Sequence, residues 1–259
     1  MEVRAKKALG QHFLTDMRIA GSIVDALVCE GAGMRMNVLE VGPGMGVLSG
    51  RLLDRSELDL RLVEIDGESV EYLKKHFPGI DGKLIQGDFL RMDLGSLFPG
   101  EFAVIGNFPY NISSQIFFKI LDHKDLIPQV VCMIQKEVAE RIAEKPGSKT
   151  YGILSVLLQA WYDIEYLFTV GPGCFAPPPK VHSAVIRLRR NGRTSLGCDE
   201  ALFKKVVKTS FGLRRKTLRN SLKVLAPGAD FFSKEVFDLR PERLGVEDFV
   251  ALTKLFENA

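Results

Sequence analysis

Two short stretches of this chain bring together residues whose types and order could do chemistry. The first is Asn107-Phe108-Pro109-Tyr110, directly after the apolar run 102–106, FAVIG. The side-chain oxygen of Asn107 and a neighbouring main-chain carbonyl, from Phe108 or Pro109, can accept the two protons of a ring-conjugated amine. Such an amine is a poor nucleophile because its lone pair is delocalised. Two fixed acceptors orient that lone pair and favour a pyramidal nitrogen, an electrostatic effect of preset dipoles. Pro109 stiffens the turn and adds no competing donor. Tyr110 can stack on a base that has left its own stack. Singly these are ordinary turn formers; their place at the end of an apolar strand makes them informative.

The second stretch is Gly42-Pro43-Gly44-Met45-Gly46, preceded by Glu40. It follows a strand-like run at 37–41 and opens a helical one through Val47, Leu48 and Leu52, so the chain can approach a ligand closely at Gly42, Gly44 and Gly46. The spacing GxGxG differs from the GxGxxG of dinucleotide sites. Glu64, at the end of strand 60–65, can take two ribose hydroxyls with its two oxygens. Asp88, after strand 83–86, can accept from an adenine amino group, or an amide beside it can donate to the ring. Successive strand ends of this kind form the ligand-binding edge of open α/β sheets, and the set points to an adenosine-containing cofactor. A sulfonium cation is favoured near the carboxylates Glu40 and Glu64. That selects S-adenosylmethionine over a nicotinamide dinucleotide, and displacement at a sulfonium methyl needs no cysteine nucleophile.

The elements that must position these residues follow from periodicity. Thr15 is placed to cap a helix whose apolar residues Ile19, Ile23, Val24 and Leu27 recur at three and four. Strands are expected at 37–41, 60–65, 83–86, 102–106, 130–134 and 181–189. Helices are expected from 47, then at 69–76, 114–121, 136–145 and 153–161. Alternating strands and helices imply a mainly parallel sheet with helices on both faces. Beyond the linker at 191–194 the pattern is helical: 200–211, 213–225, 234–237 and 246–256. The expected fold is α/β: a Rossmann-like domain at 1–190 that binds S-adenosylmethionine, then a small all-helical domain at 191–259.

Composition limits what these residues can be part of. At 259 residues, 46% hydrophobic and 26% charged, the chain is an ordinary globular protein with enough core to fold without staples. Its longest apolar stretch, 151–170, is broken by Gln159, Asp163 and Glu165, too soon for a membrane span. The N-terminus lacks the features of a signal or transit peptide, so a cytoplasmic location is expected. Cys29, Cys132, Cys174 and Cys198 form no CxxC pair, so no metal site is expected. The net charge of +3 is uneven. Residues 176–223 hold 13 Lys/Arg against two acids, +11, which leaves −8 for the remainder. A polyanion-facing region and a solvated basic face both fit that asymmetry. Phe175, in the proline-rich run 173–181, fits either the second face of a base-stacking clamp or a core plug.

These motifs together resemble the bacterial small-subunit (16S) ribosomal RNA adenine dimethyltransferases. The likeness runs through KALGQHFL at 7–14, LEVGPGMG at 39–46, Glu64-Ile65-Asp66, Gly87-Asp88, Asn107 to Ser113, and Phe175 to Ser183. Its most diagnostic piece is Arg214-Arg215-Lys216-Thr217-Leu218-Arg219-Asn220-Ser221-Leu222, in the helical region. The resemblance implies that His12, Leu14, Gly42, Glu64, Asp88 and Asn107 bind the donor, with Gly44 beside them in the glycine loop. It implies chemistry at Asn107, Pro109, Tyr110 and Phe175, and RNA contacts by Arg214, Arg215, Lys216, Arg219 and Lys223. Phe108 stands where Leu is more frequent, and His12 where His or Asn is usual. The implied reaction is transfer of four methyl groups to two adjacent adenines in the 3′-terminal hairpin loop of 16S rRNA, late in assembly of the small subunit, by a monomer. The basic segment suits such a substrate, since phosphate contacts supply much of RNA affinity. Large-subunit adenine dimethyltransferases, a catalytically silent RNA-binding assembly factor and a DNA adenine methyltransferase are the alternatives.

Overall fold

The computed structural model describes residues 3–29 and 35–258. After a two-residue strand, β1 (Phe13–Leu14), the first helix α1 (Met17–Asp25) is started by Asp16 rather than Thr15. Asp16 Oδ1 accepts from the main-chain N–H groups of Arg18 at 2.9 Å and Ile19 at 3.3 Å, satisfying donors that a helix start leaves orphaned. Thr15 is unavailable for this because its amide and hydroxyl both donate to the carbonyl of Cys174.

The central sheet contains β2 (Met36–Val41), β3 (Leu58–Glu64), β4 (Leu84–Gln86), β5 (Ala103–Asn107), β6 (Gln129–Gln135), β7 (Tyr162–Val170) and β9 (Ser183–Arg190). Their order is β4-β3-β2-β5-β6-β9-β7. The pairs β2–β3, β2–β5, β3–β4 and β5–β6 are parallel, and β6–β9 is antiparallel. Helices α2 (Val47–Leu53), α3 (Gly67–His76) and α4 (Ser113–Asp122) make crossovers between the parallel strands. Strand order therefore runs outward from β2 in one direction through β3 and β4, then in the other through β5 and β6. A crevice opens at such a reversal, beyond the carboxyl ends of the strands. Ile23, Val24, Leu48, Leu52, Val38, Leu60, Leu62 and Ile105 form the core between α1, α2 and the sheet, each worth about 1.5–3 kcal/mol when fully buried. Gly106 permits the close approach of β5 to β2, since a Cβ there would strike the Val41 carbonyl oxygen.

Strand β7 is absent from the sequence expectations. Its burial alternates only partly and much of it is half-exposed, as suits the edge of the sheet. The alternation of Tyr162, Ile164 and Tyr166 with Asp163 and Glu165 was its signal. The remaining short strand, β8 (Phe175–Ala176), pairs antiparallel with β1, Leu14 opposite Phe175.

Contacts divide the chain into two compact units. One comprises residues up to Ala139 together with Ile164–Arg190, and the other Glu140–Asp163 together with the chain from Asn191 onward. The expected boundary at 190/191 is one of three crossings, and the second unit is not contiguous. Residues 140–163 belong to it because α6 (Ile153–Gln159) packs against α7 (Glu200–Gly212) and α9 (Val246–Glu257). Helix α5 (Lys136–Ala143) leads the chain into this unit. The helix expected over 213–225 is only α8 (Leu218–Leu222); residues 213–216 turn, and the backbone restarts from an extended Thr217. The helix expected at 234–237 is replaced by two 3₁₀ turns, Asp230–Ser233 and Glu235–Asp238. These turns gather Phe231, Phe232 and Phe237 around Phe256, with ring centroids 4.8–6.4 Å apart.

Candidate active site

A cavity of about 280 Å³ lies in the first unit where strand order reverses, lined from the ends of β2, β3 and β5, the loop after β4, and residues 8–14. Glu64 is buried at its wall, and both carboxylate oxygens are engaged: Oε2 accepts from Gly44 N at 3.0 Å and Oε1 from Asp66 N at 2.9 Å. Burial pushes its carboxyl up, and these amides pull the other way. The glycine loop is held against the carboxylate in a left-handed conformation. Gly44 has φ 56°, and a Cβ there would sit 3.0 Å from the Phe13 ring. Each carboxylate oxygen keeps a second lone pair for a ligand. Asp66 in turn binds the Lys6 ammonium and the Ser69 hydroxyl; burial raises its carboxyl, but these partners outweigh it and hold it below the usual range.

Asn107 ends β5 and faces the same cavity. Its Nδ2 donates to the His12 carbonyl at 2.9 Å. A carbonyl only accepts, so the amide nitrogen must face His12 and Oδ1 must face elsewhere as an acceptor. Pro109 O accepts from Ile112 N at 3.2 Å. Tyr110 lines the wall; its ring lies 5.4 Å from that of His12, tilted by 33°, and its hydroxyl is 2.5 Å from Ser183 Oγ. His12 Nδ1 is 2.8 Å from the Pro177 carbonyl, which requires Nδ1 to carry the proton. Asn111 Nδ2 donates to Ala8 O at 3.3 Å, closing residues 8–12 against the Asn107 turn.

Asp88 reaches the cavity in a tight turn, Oδ1 accepting from Leu90 N at 2.9 Å. Sequence reasoning missed the group that fixes this loop. Lys119 of α4 donates to the carbonyls of Leu90 at 3.0 Å and Met92 at 2.5 Å, and burial lowers its ammonium pKa. The available signal was a lone cation between Phe118 and Ile120 in an apolar helix.

Glu40 departs from its expected state. It is buried, its Oε2 has no hydrogen-bond partner, and burial pushes its pKa to about 8. Burial thus favours its neutral form, and Glu64, with both oxygens engaged by amides, is the carboxylate left to attract a cation. Phe175 is buried in the core cluster that also holds Leu14, Ile23 and Val170, and it does not line the cavity. His12, Leu14, Gly42, Gly44, Glu64, Asp88, Asn107, Pro109 and Tyr110 all line the one cavity.

The basic residues expected at RNA divide into two groups. Arg214 donates to the carbonyls of Lys149 and Tyr151, and Arg219 to Asp238 and the Phe232 carbonyl. Arg215, Lys216 and Lys223 are exposed. Helix α8 is too short to include Arg215 or Lys223. Among the described residues, no group of three or more His, Cys, Asp or Glu is arranged to hold a metal ion. No helix among them is long and apolar enough to cross a membrane.

The family model for ribosomal RNA adenine dimethylase matches residues 2–244. Ribosomal RNA small subunit methyltransferase A of Parabacteroides distasonis is 61% identical over 252 residues, which cover 97% of this chain and 93% of that protein. A dimethyladenosine transferase from Plasmodium falciparum has a similar solved structure, with TM-score 0.78 and 25% identity over 95% of this chain and 98% of that one. The 23S rRNA methyltransferase ErmE is similar at TM-score 0.60 and 25% identity, covering 95% and 99%.

Proposed function

The chain belongs to the ribosomal RNA adenine dimethylase family, and from this premise we propose how its cavity methylates adenine. It is an S-adenosylmethionine-dependent rRNA adenine dimethyltransferase of the small-subunit type. The finer reading is that it modifies two adjacent adenines in the 3′-terminal hairpin loop of 16S rRNA, as a cytoplasmic monomer acting on an assembling small subunit. Identity of 61% over 97% of the chain to a ribosomal RNA small subunit methyltransferase favours this over a large-subunit substrate.

The oriented amide of Asn107 carries the reading. With Nδ2 held by His12 O, Oδ1 is a fixed acceptor beside a cavity walled by an aromatic ring. The cavity suits the donor: Glu64 for the ribose, the close-approach loop at Gly42 and Gly44, and Asp88 or its neighbouring amides for the adenine. When bound, S-adenosylmethionine supplies an electrophilic methyl group on sulfur. Asn107 Oδ1 accepts a hydrogen bond from one N–H of the target amine. The Phe108 carbonyl accepts from the other, being the less engaged of the two candidates, as Pro109 O already accepts from Ile112 N. Tyr110 stacks on the flipped base. These acceptors need no reorganisation as positive charge develops on the nitrogen, which is how preset dipoles lower a barrier.

The test is transfer of labelled methyl groups to small subunits lacking the modification, with mature subunits, naked rRNA and an adenine-containing DNA as parallel substrates. Transfer to the unmodified subunits alone is expected. No transfer, with retained subunit binding, would instead establish a silent assembly factor.

A further inference from the structure

We propose that Ser183 is a positioning residue for methyl transfer, its buried hydroxyl fixing the ring of Tyr110 on which the target adenine stacks. The inference rests on the reading of Tyr110 given above. Ser183 has no exposed surface. It is the first residue of β9, paired with Gln135 at the end of β6, and the preceding His182 carbonyl accepts from Lys136 N at 2.9 Å. Two strands therefore deliver its Oγ to within 2.5 Å of the Tyr110 hydroxyl.

A tyrosine ring on a cavity wall can turn about two side-chain torsions. Holding its distal oxygen to a strand removes most of that freedom. The His12 ring lies on the wall beside it, 5.4 Å away between centroids, and is itself held by its Nδ1 bond to Pro177 O. Both anchors come from the segment 175–183. That segment contributes through a serine hydroxyl and a proline carbonyl, while its aromatic residue, Phe175, lies in the core. Without Ser183 the Tyr110 hydroxyl loses its partner, and the ring gains orientations in which a stacked adenine would miss Asn107 Oδ1. Small misplacements of this sort cost rate more than affinity.

The experiment compares wild type, Ser183→Ala, Tyr110→Phe and the double variant on small subunits lacking the modification, with donor Kd and Tm measured alongside. Ser183→Ala is expected to lower kcat roughly tenfold or more, with donor Kd close to wild type and Tm lowered only by the few degrees that one lost buried hydrogen bond costs. Tyr110→Phe removes the other end of the same hydrogen bond, so the double variant should be no slower than the slower single one. Wild-type kcat in Ser183→Ala, or losses that multiply in the double variant, would overturn the positioning role. A fall in donor affinity matching the fall in rate would overturn it too, since the effect would then be general loosening. Wild type that transfers no methyl groups would overturn the underlying activity, a result distinct from all of these.

Discussion

Asn107 Nδ2 donates to the His12 carbonyl, and that single bond determines which end of the amide the cavity sees. Asn107→Ala should reduce methyl transfer by about 10²–10³-fold, the scale for loss of one preset stabilising group, with subunit binding retained. Asn107→Asp is isosteric but sets a carboxylate oxygen against the His12 carbonyl. It should lose activity and also loosen residues 10–14, seen as faster amide hydrogen exchange there. Near wild-type turnover in either variant would remove Asn107 from the reacting amine.

Glu64 joins the glycine loop to the start of α3 by accepting from Gly44 and Asp66. Hydrogen bonds to a charged acceptor contribute about 1.5–3 kcal/mol each. Glu64→Ala should therefore weaken S-adenosylmethionine binding by tenfold or more and lower Tm by several degrees. Calorimetric titration with unchanged affinity in a folded variant would exclude Glu64 from the donor site.

Glu40 makes stability depend on pH. Its carboxyl is pushed from 4.5 to about 8 in the fold by burial, so between those values the folded chain holds a proton that the unfolded chain has lost. The stability it contributes is complete below pH 4.5 and is lost as pH rises through 8, with a slope of about 1.4 kcal/mol per pH unit. Glu40→Gln should make the decline between pH 5 and 8 shallower; Glu64, also raised, leaves part of it. Urea unfolding across that range reads the slope directly. Equal slopes in the two proteins would mean that Glu40 is ionised.

Arg215, Lys216 and Lys223 are exposed, whereas Arg219 binds Asp238 and a main-chain carbonyl. Replacing the first three by Ala should weaken subunit binding and flatten its salt dependence, as expected when phosphate contacts are lost, with donor affinity unaltered. Arg219→Ala should lower Tm because it uncaps the Phe232 carbonyl. An unaltered salt slope in the triple variant would assign those cations to solvation.

The motifs read from sequence fall on one wall because each follows a strand, and parallel strands bring their ends to a common edge. Gly42, Glu64, Asp88 and Asn107 were therefore legible together. What escaped depends on tertiary partners. Thr15 has the chemistry of a cap, but its hydroxyl is drawn to Cys174 O. Phe175 has the chemistry of a clamp, but its pairing opposite Leu14 places it in the core. Arg219 reads as a phosphate ligand, and its ion pair with Asp238, nineteen residues on, has no signal in the sequence. Lys119 belongs to no motif, and its role arises only where α4 meets the loop after β4.

The passage of residues 140–163 into the second unit bears on the order in which the chain can be completed on the ribosome. Val156 and Leu158 of α6 are buried in the finished protein, yet α7 and α9, against which α6 packs, are synthesised later. At ~5–20 residues per second, roughly 5–20 s separate the end of α6 from the end of α9. Until α7 and then α9 emerge, an apolar helix lacks the partners it packs against, and a chain ending at residue 190 would lack them permanently. The second unit cannot be removed, exchanged or grafted by a single cut. Any exchange of recognition surfaces among relatives built this way must carry both segments together.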